Sequence, residues 1–360
     1  MHKKTHYYDL IKLSYLPNKA INKLRKLCNK VNDLDGFLSL KPVKNELCKI
    51  DSAQILHDYN FINSNNIEII SVYSQFYPQS LKNIPDFPLI FYGWGNLNYL
   101  QQNIIAIIGS RTPNITNIKL VENLCNYLNC YDLVIVSGMA RGIDSVAHIN
   151  SQKTIAIIGT GLQKCYPREH KSLMHNLAEN QLIVSEYPLN MEPHKMNFPK
   201  RNRIIAALAE LVVIIEAKLN SGSLTTAKFA LNYGKEIFAV PGHPYDYKVM
   251  GTNKLIKDGA IMLLDFPEII ESLNQQLCKN NLANSDQEAK DQAVENSATH
   301  NIAKSHQEIL NYITVEGVEY DDIIDQTRLL ATSLNKILAE LELQDFIYQD
   351  EYGKIYKRAG

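Results

Sequence analysis

The chain has 360 residues, 45% of them hydrophobic and 21% charged, and a formal net charge of -1. That length allows two or three domains with at least one large core, and the composition is that of an ordinary globular protein. Near-neutrality excludes nucleic-acid binding driven by bulk charge, so such a role has to rest on a local patch.

Residues 1–66 carry helical periodicity, with Leu10, Ile11 and Leu13 followed by Ile21, Leu24 and Leu27. The opening MHKKTHYYDL has no apolar core of a signal peptide. No stretch approaches the roughly 18 uninterrupted apolar residues of a membrane span. A cytoplasmic protein without membrane contact is expected. The six cysteines (Cys28, Cys48, Cys125, Cys130, Cys165 and Cys278) form no CxxC pair and no Cys/His ligand spacing. Reduced thiols are expected, with neither a metal nor a cofactor. The segment YPQSLKNIPDFPLIFYGWG (77–95) is rich in proline and aromatics and reads as an extended segment packed against the next domain.

From Asn103 short apolar runs recur: 104–110, 133–138, 154–160, 182–187, 211–217, 236–242 and 260–264, with helical patterns between them. Continuous Val/Ile/Leu runs indicate strands buried on both faces. Their alternation with helices predicts an α/β fold, a doubly wound and mostly parallel sheet. Residues 279–302 are polar and read as a linker. Helical candidates then fall at 304–313, 320–326 and 331–344. FIYQDEYGKIYKR alternates around Tyr-Gly as a hairpin does. Three helices closed by a hairpin describe a winged helix. The expected layout is a helical module at 1–66, a Rossmann-like domain at 67–275, a linker at 276–302 and a winged helix at 303–360.

In an open parallel sheet, ligands bind beyond the carboxyl ends of the strands. The first apolar run ends in Gly109, Ser110 and Arg111, and the second in Gly138, Met139, Ala140, Arg141 and Gly142. The fifth ends in Glu216, with Ser221, Gly222 and Ser223 where a helix should begin. Glycine at such turns admits a ligand close to the backbone, and helix N-termini offer N–H groups to anions. For each turn taken singly, plain structural use is the favoured reading. The first lacks the G-x-G-x-x-G dinucleotide fingerprint, and no Walker A string occurs. What singles out this edge is residues 194–208, HKMNFPKRNRIIAAL, which emerge there after the fourth run. Lys195, Lys200, Arg201 and Arg203 lie in it without an acid, ahead of an apolar helix. Cations there oppose the helix dipole, which is understandable if an anion is to arrive. Glu216 is expected to orient Arg201 or Arg203 rather than to act as a base. Asp144 reads as a helix-start charge and His148 as a packing residue. No nucleophile with its base is evident.

At these motifs the sequence resembles the DNA-processing protein A (DprA/Smf) family. The matching strings are GSR (109–111), SGMARGIDSVAH (137–148), TIAIIGTGLQKCYP (154–167), SEYP (185–188), FPKRNRIIAAL (198–208), SGSLTTAKFA (221–230), VPG (240–242) and GTNKLIKDGA (251–260). The resemblance implies an extended Rossmann-like domain that binds single-stranded DNA. It also implies an N-terminal helical module of the SAM or helix-hairpin-helix kind and a C-terminal winged helix. Members protect incoming DNA in natural transformation, load the RecA recombinase, act as homodimers and are not enzymes. Arg111 matches a DNA-contacting arginine of the family, and Lys195 falls where a DNA-contacting lysine is found. The DNA-binding set implied for this chain is Gly109, Ser110, Arg111, Gly138, Met139, Ala140, Arg141, Gly142, Lys195, Phe198, Lys200, Arg201, Asn202, Arg203, Ser221, Gly222 and Ser223. Phe198 either stacks on bases or plugs the helix start, and one of Arg201 and Arg203 is expected to pair inward with Glu216 while the other faces solvent. The chain departs from the family in carrying NITN at 114–117 and LPNKAIN in the helical module, and in a final helix that offers only Lys336 against the acids Glu340 and Glu342. The alternative function is a nucleotide-processing enzyme related to the lysine-decarboxylase-like phosphoribohydrolases, whose PGGxGT signature is absent here. A protein scaffold without DNA binding would require the rim charges to be paired internally.

Overall fold

The computed structural model describes residues 2–28, 30–276, 309–310, 312–314, 317–318, 320, 322–323, 334, 337–338, 341–342, 346–350 and 354–358. The chain divides into two compact units, 1–281 and 282–360.

The first unit opens with five helices: α1 (His2–Ser14), α2 (Asn18–Cys28), α3 (Leu34–Ser39), α4 (Lys41–Leu47) and α5 (Ser52–Ser64). Leu10, Ile11, Leu13 and Leu24 are buried, so the helical spacing expected of residues 1–66 is realised. Asp33 and Asp51 cap α3 and α5 by accepting from Gly36 and Ala53 N–H groups. Two strands follow, β1 (Ile67–Ser71) and β2 (Ile90–Gly95), with the short α6 (Gln79–Lys82) between them. Residues 77–95 therefore contain a strand and a helical turn, where an extended segment was expected.

The central strands are β3 (Asn103–Ile108), β4 (Leu133–Ser137), β5 (Thr154–Ile157), β6 (Leu182–Ser185), β7 (Leu211–Ile214), β8 (Glu236–Ala239) and β9 (Ile261–Met262). All seven apolar runs are strands. They alternate with α7 (Ile115–Leu128), α8 (Ile143–Asn150), α9 (Lys171–Asn180), α10 (Asn197–Leu208), α11 (Gly222–Asn232) and α12 (Met250–Lys257). The sheet order is β1-β2-β6-β5-β4-β3-β7-β8-β9. From β6 to β9 every pairing is parallel, while β2 joins β6 and β1 joins β2 antiparallel.

Alternation along each strand splits the core between the two faces. Ile105 and Ile107 join Val121, Leu124, Ile143 and Ala147 of α7 and α8. Ile104, Ala106 and Ile108 join α9, α10, α11 and the helical module. Burying such a side chain contributes about 1.5–3 kcal/mol, which explains why these runs are apolar throughout rather than alternating. The order reverses at β3, with β4 to one side and β7 to the other. That reversal is a topological switch point, and it opens a crevice at the carboxyl ends of β3 and β7.

In the second unit, strands β10 (Ile347–Gln349) and β11 (Ile355–Lys357) form the expected antiparallel hairpin. Val318 bridges to Ile355. Ile309, Ile313, Ile323, Leu334, Leu338 and Leu341 pack with the hairpin in a separate core. The expected linker lies, apart from Gln276, outside the described residues, as do Lys336 and Glu340. Among the described residues no helix is long and apolar enough to cross a membrane.

Candidate nucleic-acid interface

A cleft of about 720 Å³ opens at the switch point. The turn after β3 contributes Gly109, Ser110 and Arg111, the turn after β4 contributes Ala140, and the start of α10 contributes Phe198, Arg201 and Asn202. Lys195 comes from the preceding loop, and Ser221, Gly222 and Ser223 from the start of α11. Eleven of the implied DNA-binding residues therefore share one cavity.

Two of the implied DNA-binding cations on its rim have no ion pair among the described residues. Among the described residues no carboxylate comes within ion-pair reach of Arg111 or Lys195. The Arg111 guanidinium lies 5.9 Å from the centroid of the Phe198 ring. Phe198 itself packs against Tyr166 at 5.2 Å between centroids and 37° between planes. Phe198 thus both plugs the start of α10 and presents a partly exposed ring to the cleft. Tyr166, after β5, was not anticipated; its signal was an aromatic residue on a carboxyl-edge loop. Behind it Gly159 leaves room for Phe198, since a Cβ there would lie 2.8 Å from the ring.

Arg201 forms the floor. Its Nη1 donates to the Gly138 carbonyl at 2.6 Å and also to the Ile157 carbonyl, and its Nε donates to Asn202 at 3.0 Å. Burial lowers its pKa to about 10, against the pull of Asp144, so it stays charged at neutral pH. Asp144 accepts from the N–H groups of Gly138 and Ala140, and burial raises its pKa although Arg201 opposes this. Gly138 is where both groups converge: a Cβ there would lie 2.6 Å from Arg201 Nη2 and 2.7 Å from Asp144 Oδ2.

At the start of α11 the Ser221 hydroxyl accepts from the Ser223 N–H at 3.2 Å, and the Ser223 hydroxyl donates to the Gly109 carbonyl at 2.8 Å. The Gly222 N–H has no acceptor among the described residues. With the partial positive charge of the helix terminus it offers an anion a donor at the cleft wall.

Several implied residues are placed otherwise. Arg203 is fully buried on the opposite side of α10, with Nη2 2.6 Å from both Glu186 oxygens and Nε 2.9 Å from Asp86. Burial works against its charge, but Glu186 and Asp86 outweigh it, and its pKa is raised. It pairs inward and does not face the cleft; Arg201 is buried as well, so neither arginine faces solvent, where one of the two was expected to. Glu216 orients neither arginine; it accepts from the Asn114 N–H and the Asn117 side chain. Lys200 faces the helical module, donating to Asn18 at 3.0 Å. Met139 is buried at a φ of 54°. Its N–H donates to His148 Nε2 and its carbonyl meets His170 Nδ1. Gly142, at a φ of 75°, backs onto the Ser110 carbonyl. Met139 and Gly142 shape the turn rather than face a ligand. Arg141 lies beside the cleft, paired with Glu169, whose carboxyl is held down to about 2 by that contact. His148 is the packing residue expected: its Nδ1 meets Thr154 and burial lowers its pKa to about 3.

Residues 68–274 match the family profile described as DNA recombination-mediator protein A, and residues 292–351 match the DprA winged helix domain. The chain belongs to the DprA/Smf family. The DNA processing protein DprA of Streptococcus pneumoniae is 34% identical over 278 residues, covering 73% of this chain and 96% of that protein. Protein Smf of Escherichia coli is 37% identical over 66% of this chain and 62% of its own length. The X-ray structure of the Streptococcus pneumoniae DprA superposes with a TM-score of 0.64, covering 74% of this chain and 97% of that one. DprA from Helicobacter pylori, reported for its single-stranded DNA binding mode, superposes with a TM-score of 0.54 at 32% identity, over 58% of this chain and 96% of that one. In this DprA/Smf chain the GSR turn, the start of α10 and the SGS turn of α11 are the strings that build the cleft.

Proposed function

We propose that this chain is a recombination mediator that binds single-stranded DNA in the carboxyl-edge cleft, protects it and passes it to the RecA recombinase, acting as a homodimer. The observation that carries the binding step is the convergence of two unpaired cations, Arg111 and Lys195, on a partly exposed aromatic pair, Phe198 and Tyr166. Basic grooves with aromatic platforms hold single strands by phosphate contact and base stacking, without sequence readout. The Gly222 N–H adds a neutral donor for phosphate. Membership of the family and the Helicobacter pylori relative support the same reading.

A non-catalytic role fits the cleft carboxylate: Asp144 is bound to two backbone N–H groups rather than aimed at a substrate. Release of free base from nucleoside monophosphates would overturn that part.

The test is fluorescence anisotropy of a labelled oligo-dT at two salt concentrations, with wild type, Arg111→Ala and Lys195→Ala. Each lost phosphate contact should shrink the log–log salt slope by about 0.7. Variants that leave affinity and slope untouched would remove the cleft from the reading. Nuclease protection and RecA filament nucleation on the same strand test the later steps.

A further inference from the structure

We infer that the loop between β8 and α12 carries a second stacking subsite, which holds the DNA strand as it leaves the cleft. The inference rests on the single-strand reading of the cleft. Residues 241–249 follow β8, so they rise from the same carboxyl edge one strand beyond β7. They expose two aromatic rings. Tyr245 is 93% exposed and Tyr247 59%. Neither ring fills the core, so both leave flat faces open to a ligand.

The loop is joined to the cleft from two directions. Lys218 lines the cleft, and its Nζ lies 4.7 Å from the centroid of the Tyr247 ring. Lys248 Nζ donates to the Thr112 carbonyl at 3.2 Å and to Asn114 Oδ1 at 2.8 Å, so the loop is fastened to the Arg111 turn. Asp246 is the one acid of the loop, and it is occupied by the Lys248 N–H and the Asn114 side chain. The His243 ring packs beside Tyr245, 5.7 Å between centroids and tilted by 44°. A cleft-lining cation therefore touches one ring of the loop, and the second ring stands two residues away on the same loop. The chemistry matches the cleft itself: positive charge for phosphates and flat faces for bases. Its occupant is the continuation of the same strand, which arrives unpaired and carries a negative charge at every step.

The test compares a short oligo-dT of about 4 nucleotides with a long one of about 12, a range that brackets compact single-strand sites. Tyr245→Ala/Tyr247→Ala in the full chain should bind the long strand about 10-fold more weakly and the short strand as wild type does. Tyr245→Phe/Tyr247→Phe, which keeps both rings, should restore the long-strand affinity. Arg111→Ala should weaken both strands. Unchanged long-strand affinity in the double alanine variant would overturn this inference and leave the cleft reading standing. An equal loss on both strands would also overturn it, because the loop would then be acting through the Arg111 turn. A wild-type protein that binds neither strand would overturn both readings.

Discussion

Arg203 separates a structural cation from a DNA-binding one, and Arg203→Met tests the assignment. The substitution keeps an unbranched side chain of similar length and removes the charge. Glu186 is then left with a side chain only 10% exposed, whereas Asp86, at 48%, rehydrates. Orphaning a buried carboxylate costs about 3–5 kcal/mol. The half-exposed Asp86 contact adds less than about 1 kcal/mol. The expected loss is therefore at the lower end, about 3 kcal/mol. With an m-value of roughly 3 kcal/mol/M, the urea midpoint falls by about 1 M. The single tryptophan, Trp94, lies in β2 and reports this unit alone. Removing both charges, Glu186→Gln with Arg203→Met, should return most of the loss, because no buried charge is left unpaired. Strand affinity of the folded protein should be unchanged. A stability loss below about 1 kcal/mol combined with weakened DNA binding would refute the assignment and return Arg203 to the rim.

Three further outcomes follow from packing and titration. Gly159→Ala should push the Phe198 ring out of register and weaken oligo-dT binding several-fold, with the salt slope unchanged because no phosphate contact is lost; a changed slope would contradict this. Gly142→Ala places a Cβ 2.3 Å from the Ser110 carbonyl at a φ of 75°, and should cost about 1–3 kcal/mol of stability in urea while displacing Arg111. His148 has a folded pKa of about 3 against an ordinary 6.5, so the unfolded chain binds more protons between those values and stability falls as pH falls through that window. Wild type should lose about 2 kcal/mol from this group between pH 7 and 5, and His148→Gln should lack that slope. Asp144, with a raised pKa, acts with the opposite sign, so the difference between variant and wild type is the readout.

The seven apolar runs were legible because strands covered on both faces leave no polar side in their sequence. The cleft strings were legible because several small-residue turns and the basic stretch at 194–208 all emerge on one sheet edge; no single turn would have disclosed it. β1 and β2 were not read. They form the antiparallel edge; residues 77–95 read only as an extended segment, because the prolines and aromatics around Phe91 and Tyr92 hide a strand pattern. The partition of α10 was present in the spacing but not used. Phe198, Arg201, Asn202 and Ile205 recur every three or four residues and all line the cleft. Arg203, two positions after Arg201, must point to the far side of the helix. No spacing discloses that Glu186 and Asp86 wait there, since both come from other elements.

The basic start of α10 then has a divided explanation. Arg203 is neutralised by Glu186 and Asp86, and Arg201 spends its hydrogen bonds on the carbonyls of Gly138 and Ile157. Lys200 is held by Asn18 of the helical module. Three of the four cations thus fix α10 against β5, β6 and α2, and they aim its N-terminus at the cleft. Only Lys195, ahead of the helix, remains for a ligand, and it lines the same cleft as Arg111. Substituting the holding cations should loosen the scaffold and lower stability, whereas substituting Lys195 should leave stability intact, weaken DNA binding and make its salt dependence shallower. An acid-free basic cluster is therefore not one patch here: its burial pattern, more than its charge, separates the residues that build the site from the residue that uses it.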